Sequence, residues 1–166
     1  AQAIAQGSDI EARFADVRSN LPDWQGSSAS AVWPDQIGAY TRQDIRVQFL
    51  ENLGFENSVN VENLAGPSTY NVRLSQEYLN AIDTDILLWL TVGDAQASLD
   101  RIRLRQLSRA YREGREIIVD PTLTAALSHS SPLAIGYALD RLVPLIAAAV
   151  DGDPATAIPD IKQADE

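Results

Sequence analysis

The chain has 166 residues, one ordinary domain's worth and enough to bury a sizeable core. Its 45% hydrophobic and 22% charged content is that of a globular protein, which excludes disordered and fibrous classes. A net charge of −10 excludes the basic field that nucleic-acid binding requires, and the absence of Cys removes disulfides, thiolate metal sites and Cys nucleophiles together.

No apolar run approaches the roughly 18 residues of a bilayer crossing, so no membrane span is expected. No Met is present, even at position 1, so a processed or trimmed chain is expected.

Taken in order, Ser8 and Glu11 form a capping-box pattern, and Ile10, Phe14, Val17 and Leu21 then share one helical face until Pro22. Asp23 to Ser30 is polar and turn-rich, and reads as a loop. Ala31 to Trp33 reads as a short strand stopped by Pro34. Thr41 caps a helix to Leu53, with Gly54 in the place of a left-handed terminator. Glu56 to Asn71 has no period and reads as a long loop with a short strand near Val59 to Val61. Ser75 opens a short helix ending near Asp83, with Leu74 and Leu79 as its hydrophobic staple.

Ile86 to Val92 is a continuous apolar run of strand length, as expected of a parallel strand covered on both faces. Ala97 to Tyr111 reads as one helix whose arginines form a solvated face. Ile117 to Val119 is a short buried strand, closed by Asp120 and Pro121. Ser131 and Pro132 start the most apolar helix, to Val150. The acidic tail from Asp151 is expected to fray. This alternation predicts an α/β fold: a three-layer, Rossmann-like lobe with a mostly parallel sheet and helices on both faces. Ligands of such sheets bind outside the carboxyl ends of the strands, which singles out Trp33 to Arg42, Val92 to Gln96 and Asp120 to Ser131.

Catalytic signatures are missing. Neither a dinucleotide GxGxxG nor a phosphate-cradling GxxxxGK[ST] occurs, and no GxSxG follows a strand. His129 is the one histidine; it lies in Ser128-His129-Ser130-Ser131, where it reads either as part of a triad with Asp120 or as a loop histidine near a helix cap. Asp83 with Asp85, and Asp151 with Asp153, have the spacing of turn formers or weak cation ligands.

The order of motifs points further. Val32-Trp33-Pro34, a variable loop, and the helix Asp44 to Leu53 ending in Leu53-Gly54-Phe55-Glu56-Asn57 come first. Leu74-Ser75-Gln76-Glu77-Tyr78-Leu79, then Asp83 to Leu88, Arg115 to Asp120, and the Ser131-Pro132 helix follow. In this order the chain resembles the carboxy-terminal lobe of the ABC-transporter substrate-binding proteins that carry iron-siderophores, haem and cobalamin. The resemblance divides the chain into residues 1–21, the end of a helical connection between lobes, residues 22–150, the lobe, and residues 151–166, an acidic tail.

It implies a binding module rather than an enzyme, outside the cytoplasm and lipid-anchored in the full-length protein. It also implies an amino-terminal lobe that this chain lacks, so the chain alone is expected to bind ligand weakly or not at all. No cofactor of its own is implied; a ferric siderophore or similar chelate is the transported ligand. Trp33, Tyr40 and Arg42, then Tyr70 and Arg73, are the implied ligand-binding residues. Glu56 is the implied docking carboxylate for Arg-lined pockets of the permease, although Phe55 stands where many members have Gly. The alternatives are a small stand-alone α/β hydrolytic enzyme and a ligand-free interaction domain of doubly wound fold.

Overall fold

The computed structural model describes residues 2–158, with side chains from residue 7 onward. Helix α1 (Gln2–Asn20) leads through a 3-10 turn (Pro22–Trp24) to strand β1 (Ser28–Trp33). Strand β2 (Gly38–Tyr40), helix α2 (Ile45–Leu53), strand β3 (Glu56–Asn57), helix α3 (Val59–Leu64) and strand β4 (Asn71–Arg73) follow. A 3-10 helix (Gln76–Ile82), strand β5 (Ile86–Leu90), helix α4 (Ala95–Asp100), a second 3-10 helix (Arg103–Leu107) and helix α5 (Arg109–Arg112) come next. Strand β6 (Glu116–Val119) and helices α6 (Pro121–Leu127) and α7 (Pro132–Ala149) complete the lobe.

The sheet runs β4-β2-β1-β5-β6, with β3 beside the start of β1. The pairs β1–β3, β1–β5 and β5–β6 are parallel, whereas β1–β2 and β2–β4 are antiparallel. The sheet is therefore mostly parallel with an antiparallel edge. Every residue of β5 is buried, as its unbroken apolar run requires. Ile86, Leu88 and Leu90 pack with Phe14, Leu50, Leu53, Leu142 and Ile146 on one face. Leu87 and Trp89 pack with Leu79, Ile82, Leu99 and Ile102 on the other. The expected helix cover on both faces is present.

Local signals placed several elements correctly. Ser131 Oγ accepts from Ala134 N at the start of α7, with Pro132 in the first turn. Gly54 adopts φ 106°, and its amide reaches Leu50 and Glu51 carbonyls. A Cβ there would also meet the Gln25 side chain at 2.2 Å.

Other expectations need correction. Ser8 lies inside α1 rather than at its start. Residues 28–30, read as loop, belong to β1, where pairing with both β3 and β5 overrides their turn propensity. Helix α2 is capped by Asp44, not Thr41; the Thr41 hydroxyl instead donates to Thr69 O. Val59 to Val61 is helical, capped by Ser58. Ser75 provides no side-chain cap, because its hydroxyl donates to Glu77 instead, and the helix after it is 3-10.

The expected helix Ala97 to Tyr111 is broken into three pieces. Ser108 and Asp83 compete for the amides of its last part: Ser108 Oγ accepts from Tyr111 N, and Asp83 accepts from Arg109 N and Ala110 N at 2.8 and 2.7 Å. Leu107 is consequently 71% exposed instead of joining an apolar face. The arginines are not a uniformly solvated face either. Arg105 forks onto Glu116, whose other bond comes from Trp89 Nε1 at 2.7 Å, and Arg109 pairs with Asp85. Arg115 donates to the carbonyls of Asp85 and Val150, tying the end of α7 to the start of β5.

Asp120 and Pro121 close β6 as expected and at once open α6, a helix absent from the reading of the sequence. Helix α7 is long and apolar enough to cross a membrane by length and composition, contrary to the reading of the sequence. Here it packs against the core through Leu139, Leu142 and Ile146. Residues 151–158 are ordered, not frayed: Asp151 and Asp153 close successive turns and Ile158 packs on the core. The rest of the tail lies outside the described residues.

Two consequences are measurable. Truncating Arg105 to Ala leaves the buried Glu116 carboxylate without its cation, and is expected to cost about 3–5 kcal/mol in a urea unfolding curve. Asp85 joins β1 to β5 by accepting from the Ser28 amide and hydroxyl at 2.9 and 2.8 Å. Burial pushes its pKa up, but those bonds and Arg109 outweigh burial and leave it below the usual range. Its contribution is full above the unfolded carboxylate pKa, near 4, and is lost as pH falls through the lower folded value. Wild-type stability should therefore fall across that acid window, and Asp85→Asn should flatten the fall; an unchanged slope would contradict the assignment.

Candidate ligand-binding face

Trp33 is the last residue of β1, at the carboxyl end of the parallel strands. The chain turns at Pro34 to Ile37 and returns as β2, pairing Trp33 with Gly38 and Val32 with Ala39. Tyr40 follows on the same face as Gly38, by the alternation of a strand. Trp33 and Tyr40 thus meet, with ring centroids 4.8 Å apart and planes at 53°. Both are half-buried. Strand β4 adds Arg73 opposite Gly38 and Asn71 opposite Tyr40. Arg73 is exposed, and no side-chain partner holds it among the described residues.

Arg46, which the sequence did not single out, completes the group. Its guanidinium lies 4.3 Å from the Tyr40 ring centroid. Nη1 donates to both Asp44 oxygens at 2.9 and 3.0 Å, and Nη2 donates to Ser128 Oγ at 2.8 Å. The Tyr40 hydroxyl has a raised pKa because burial disfavours the phenolate; Arg46 opposes that rise and Asp44 adds to it. Tyr40 is therefore a neutral ring at physiological pH.

The remaining expected ligand residues sit beside this stack. Arg42 is exposed but engaged: its amide donates to Glu62 Oε1 at 2.8 Å and its guanidinium lies 3.5 Å from Oε2. The same carboxylate accepts from buried Asn57, whose amide also donates to Tyr40 O. Tyr70 is 61% exposed, and its carbonyl accepts from Thr41 N. Trp33 and Tyr40 touch, Arg73 shares their face by register, and Arg42 and Tyr70 flank them. On the other side of the sheet the Pro34–Ile37 turn borders an open cavity of about 300 Å³, floored by Ile37, Leu74 and Ile102 and rimmed by Arg101 and Asp35.

Glu56 lies elsewhere. It pairs with Ser28 at the amino end of β1, and its amide donates to Ser27 O at 2.9 Å. Five residues of strand, about 17 Å, separate that level from Trp33. The carboxylate is exposed and has no side-chain partner among the described residues.

Asp120 and His129 do not form a dyad among the described residues. Asp120 Oδ1 accepts from Leu123 N at 2.7 Å to cap α6, and His129 is exposed beyond the far end of that helix. Asp83 and Asp85 accept from backbone amides, as turn and cap residues do. Among the described residues no group of three or more His, Asp or Glu side chains could hold a metal ion.

Such a lobe, with its sheet covered on both sides and an aromatic pair on the strands β1 and β2, has the fold of one lobe of a periplasmic solute-binding protein. No family model matches the sequence, and no curated protein does. Solved structures do. A periplasmic solute-binding protein from Mycobacterium smegmatis is 23% identical, with a TM-score of 0.69 over 89% of this chain and 50% of its own. PiaA from Streptococcus pneumoniae, in complex with ferrichrome, is 18% identical, with a TM-score of 0.72 over 90% of this chain and 53% of its own. FhuD2 from Staphylococcus aureus, with bound ferrioxamine B, is 13% identical, with a TM-score of 0.71 over 89% of this chain and 57% of its own. The chain thus spans about half the length of these solved structures.

Proposed function

We propose that the chain is the carboxy-terminal lobe of the substrate-binding component of an ABC importer. It captures a ferric siderophore or related iron chelate outside the cytoplasm and delivers it to a membrane permease. The reading requires a second lobe, with residues 1–21 ending the helical connection to it, and goes with a lipid anchor in the full-length protein.

The Trp33–Tyr40 pair beside the uncommitted Arg73 carries the reading. A large chelate offers flat, weakly hydrated surface and peripheral oxygens. Aromatic rings supply contact area with few rotors to freeze, and a guanidinium supplies charge and a donor fork. Arg42 and Tyr70 extend the wall. The likeness in fold to proteins solved with ferrichrome and with ferrioxamine B supports the ligand class. With Asp120 capping α6, the hydrolytic alternative lacks a carboxylate to orient His129 as a base. No bond is made or broken, so specificity resides in the wall. Glu56 is the docking group for an arginine of the permease. Its place at the other end of β1 leaves it clear of the ligand wall.

Tryptophan fluorescence of the full-length protein, titrated with ferrichrome, ferrioxamine B, haem and cobalamin, tests this. Quenching by a ferric siderophore is expected, weakened about tenfold or more when Trp33→Ala removes the aromatic contact. Glu56→Ala should leave that affinity unchanged and lower uptake of the same chelate by cells. Silence toward every ligand would sink the reading.

A further inference from the structure

We propose that Gly38 and Arg46 are the positioning residues of the Trp33–Tyr40 pair: one makes the space in which the Trp33 ring lies, and the other fixes the Tyr40 ring against it. The role rests on the reading of this face as a ligand wall.

Gly38 is a glycine inside a strand, where the residue type weakens pairing and marks a close approach. The approaching group is Trp33. A Cβ built on Gly38 would stand 1.7 Å from Cζ2, 2.0 Å from Cε2 and 2.1 Å from Cη2 of that ring. The indole occupies the volume of the missing side chain, so any other residue at position 38 must displace it. No such demand comes from the backbone, because Gly38 is not among the positive-φ residues. The constraint is the ring.

Arg46 works from the other end of the pair. Its plane is set by two elements: Asp44, which also accepts from Arg46 N to cap α2, and Ser128 at the end of α6. The Ser128 hydroxyl donates to Thr124 O at 2.8 Å, which leaves its oxygen lone pairs facing the guanidinium. A planar fork anchored on both sides holds Tyr40 at one tilt, and Tyr40 in turn buttresses Trp33. A ring pair already fixed before a chelate arrives spares the ordering cost of binding. Simple core packing would need neither the vacated Cβ nor a half-buried guanidinium joining α2 to α6.

The test uses 5-fluorotryptophan and fluorine NMR on this chain, whose three tryptophans give three signals, Trp33 being assigned with Trp33→Phe. Gly38→Ala should move and broaden the Trp33 signal, leaving those of Trp24 and Trp89 in place. Arg46→Lys, which keeps the charge but not the fork, should move it in the same way without unfolding the lobe. In the full-length protein each variant should lower ferric-siderophore affinity by about three- to tenfold, the worth of one aromatic pair. A Trp33 signal unmoved by both substitutions would overturn the positioning role, as would a moved signal with unchanged affinity. A wild-type protein that binds no chelate, with the signal moving as expected, would overturn the ligand reading instead and leave the ring packing standing.

Discussion

A five-residue strand without a polar side chain must be covered on both sides. Ile86 to Leu90 is that strand, and most of the lobe follows from it. Leu88 needs the α2 and α7 face, and Leu87 needs the 3-10 and α4 face. With both broad faces taken by helices, a parallel sheet leaves its carboxyl ends as the ground where the chain can build a site. Even Trp89, the largest fully buried side chain, must find an acceptor, and it finds Glu116, which in turn holds Arg105. A polar network thereby enters the second core where burial of an indole demands it.

The antiparallel edge is what turns this general scaffold into a particular surface. Strands β2 and β4 extend the sheet beyond β1. Toward that edge the Ala29–Ala31 row of β1, packed in the helix-covered core, gives way to the half-buried rings of Trp33 and Tyr40. Glu56, on β3, stands beside the opposite end of β1. One short strand therefore separates the proposed ligand wall from the proposed docking carboxylate. In that reading the two are coupled through rigid sheet and not through shared residues.

What could be read from the sequence was what local chemistry decides. The apolar run read over 86 to 92, the Ser131-Pro132 start and the left-handed Gly54 each carry their cause within a few residues, although the strand ends at Leu90 and Val92 is exposed. Trp33 could be placed at a strand end because Pro34 follows it. The edge strands β2 and β4 escaped notice, since three residues cannot show a period of two and their pairing is decided by register, β2 with β1 and β4 with β2. The break in the segment 97 to 111 escaped for a similar reason: Asp83 and Glu116 draw amides and guanidinium out of a local helix from elsewhere in the chain. Among the residues of the proposed wall, Trp33, Tyr40 and Arg73 could be named only through the family resemblance and their place in the motif order. Arg46 could not, because its partner Ser128 is 82 residues away. Gly38 carried one weak sign, a glycine between apolar neighbours, whose meaning appears only when the indole is seen lying on it.

In the proposed function an iron chelate rests against the Trp33–Tyr40 end of this sheet. Anomalous scattering at the iron edge, from crystals of the full-length protein grown with a ferric siderophore, locates the metal directly. The account predicts one iron peak facing the Trp33 and Tyr40 rings, with Arg73 turned toward the chelate. A peak on another face of the lobe, or beside Glu56, would contradict it.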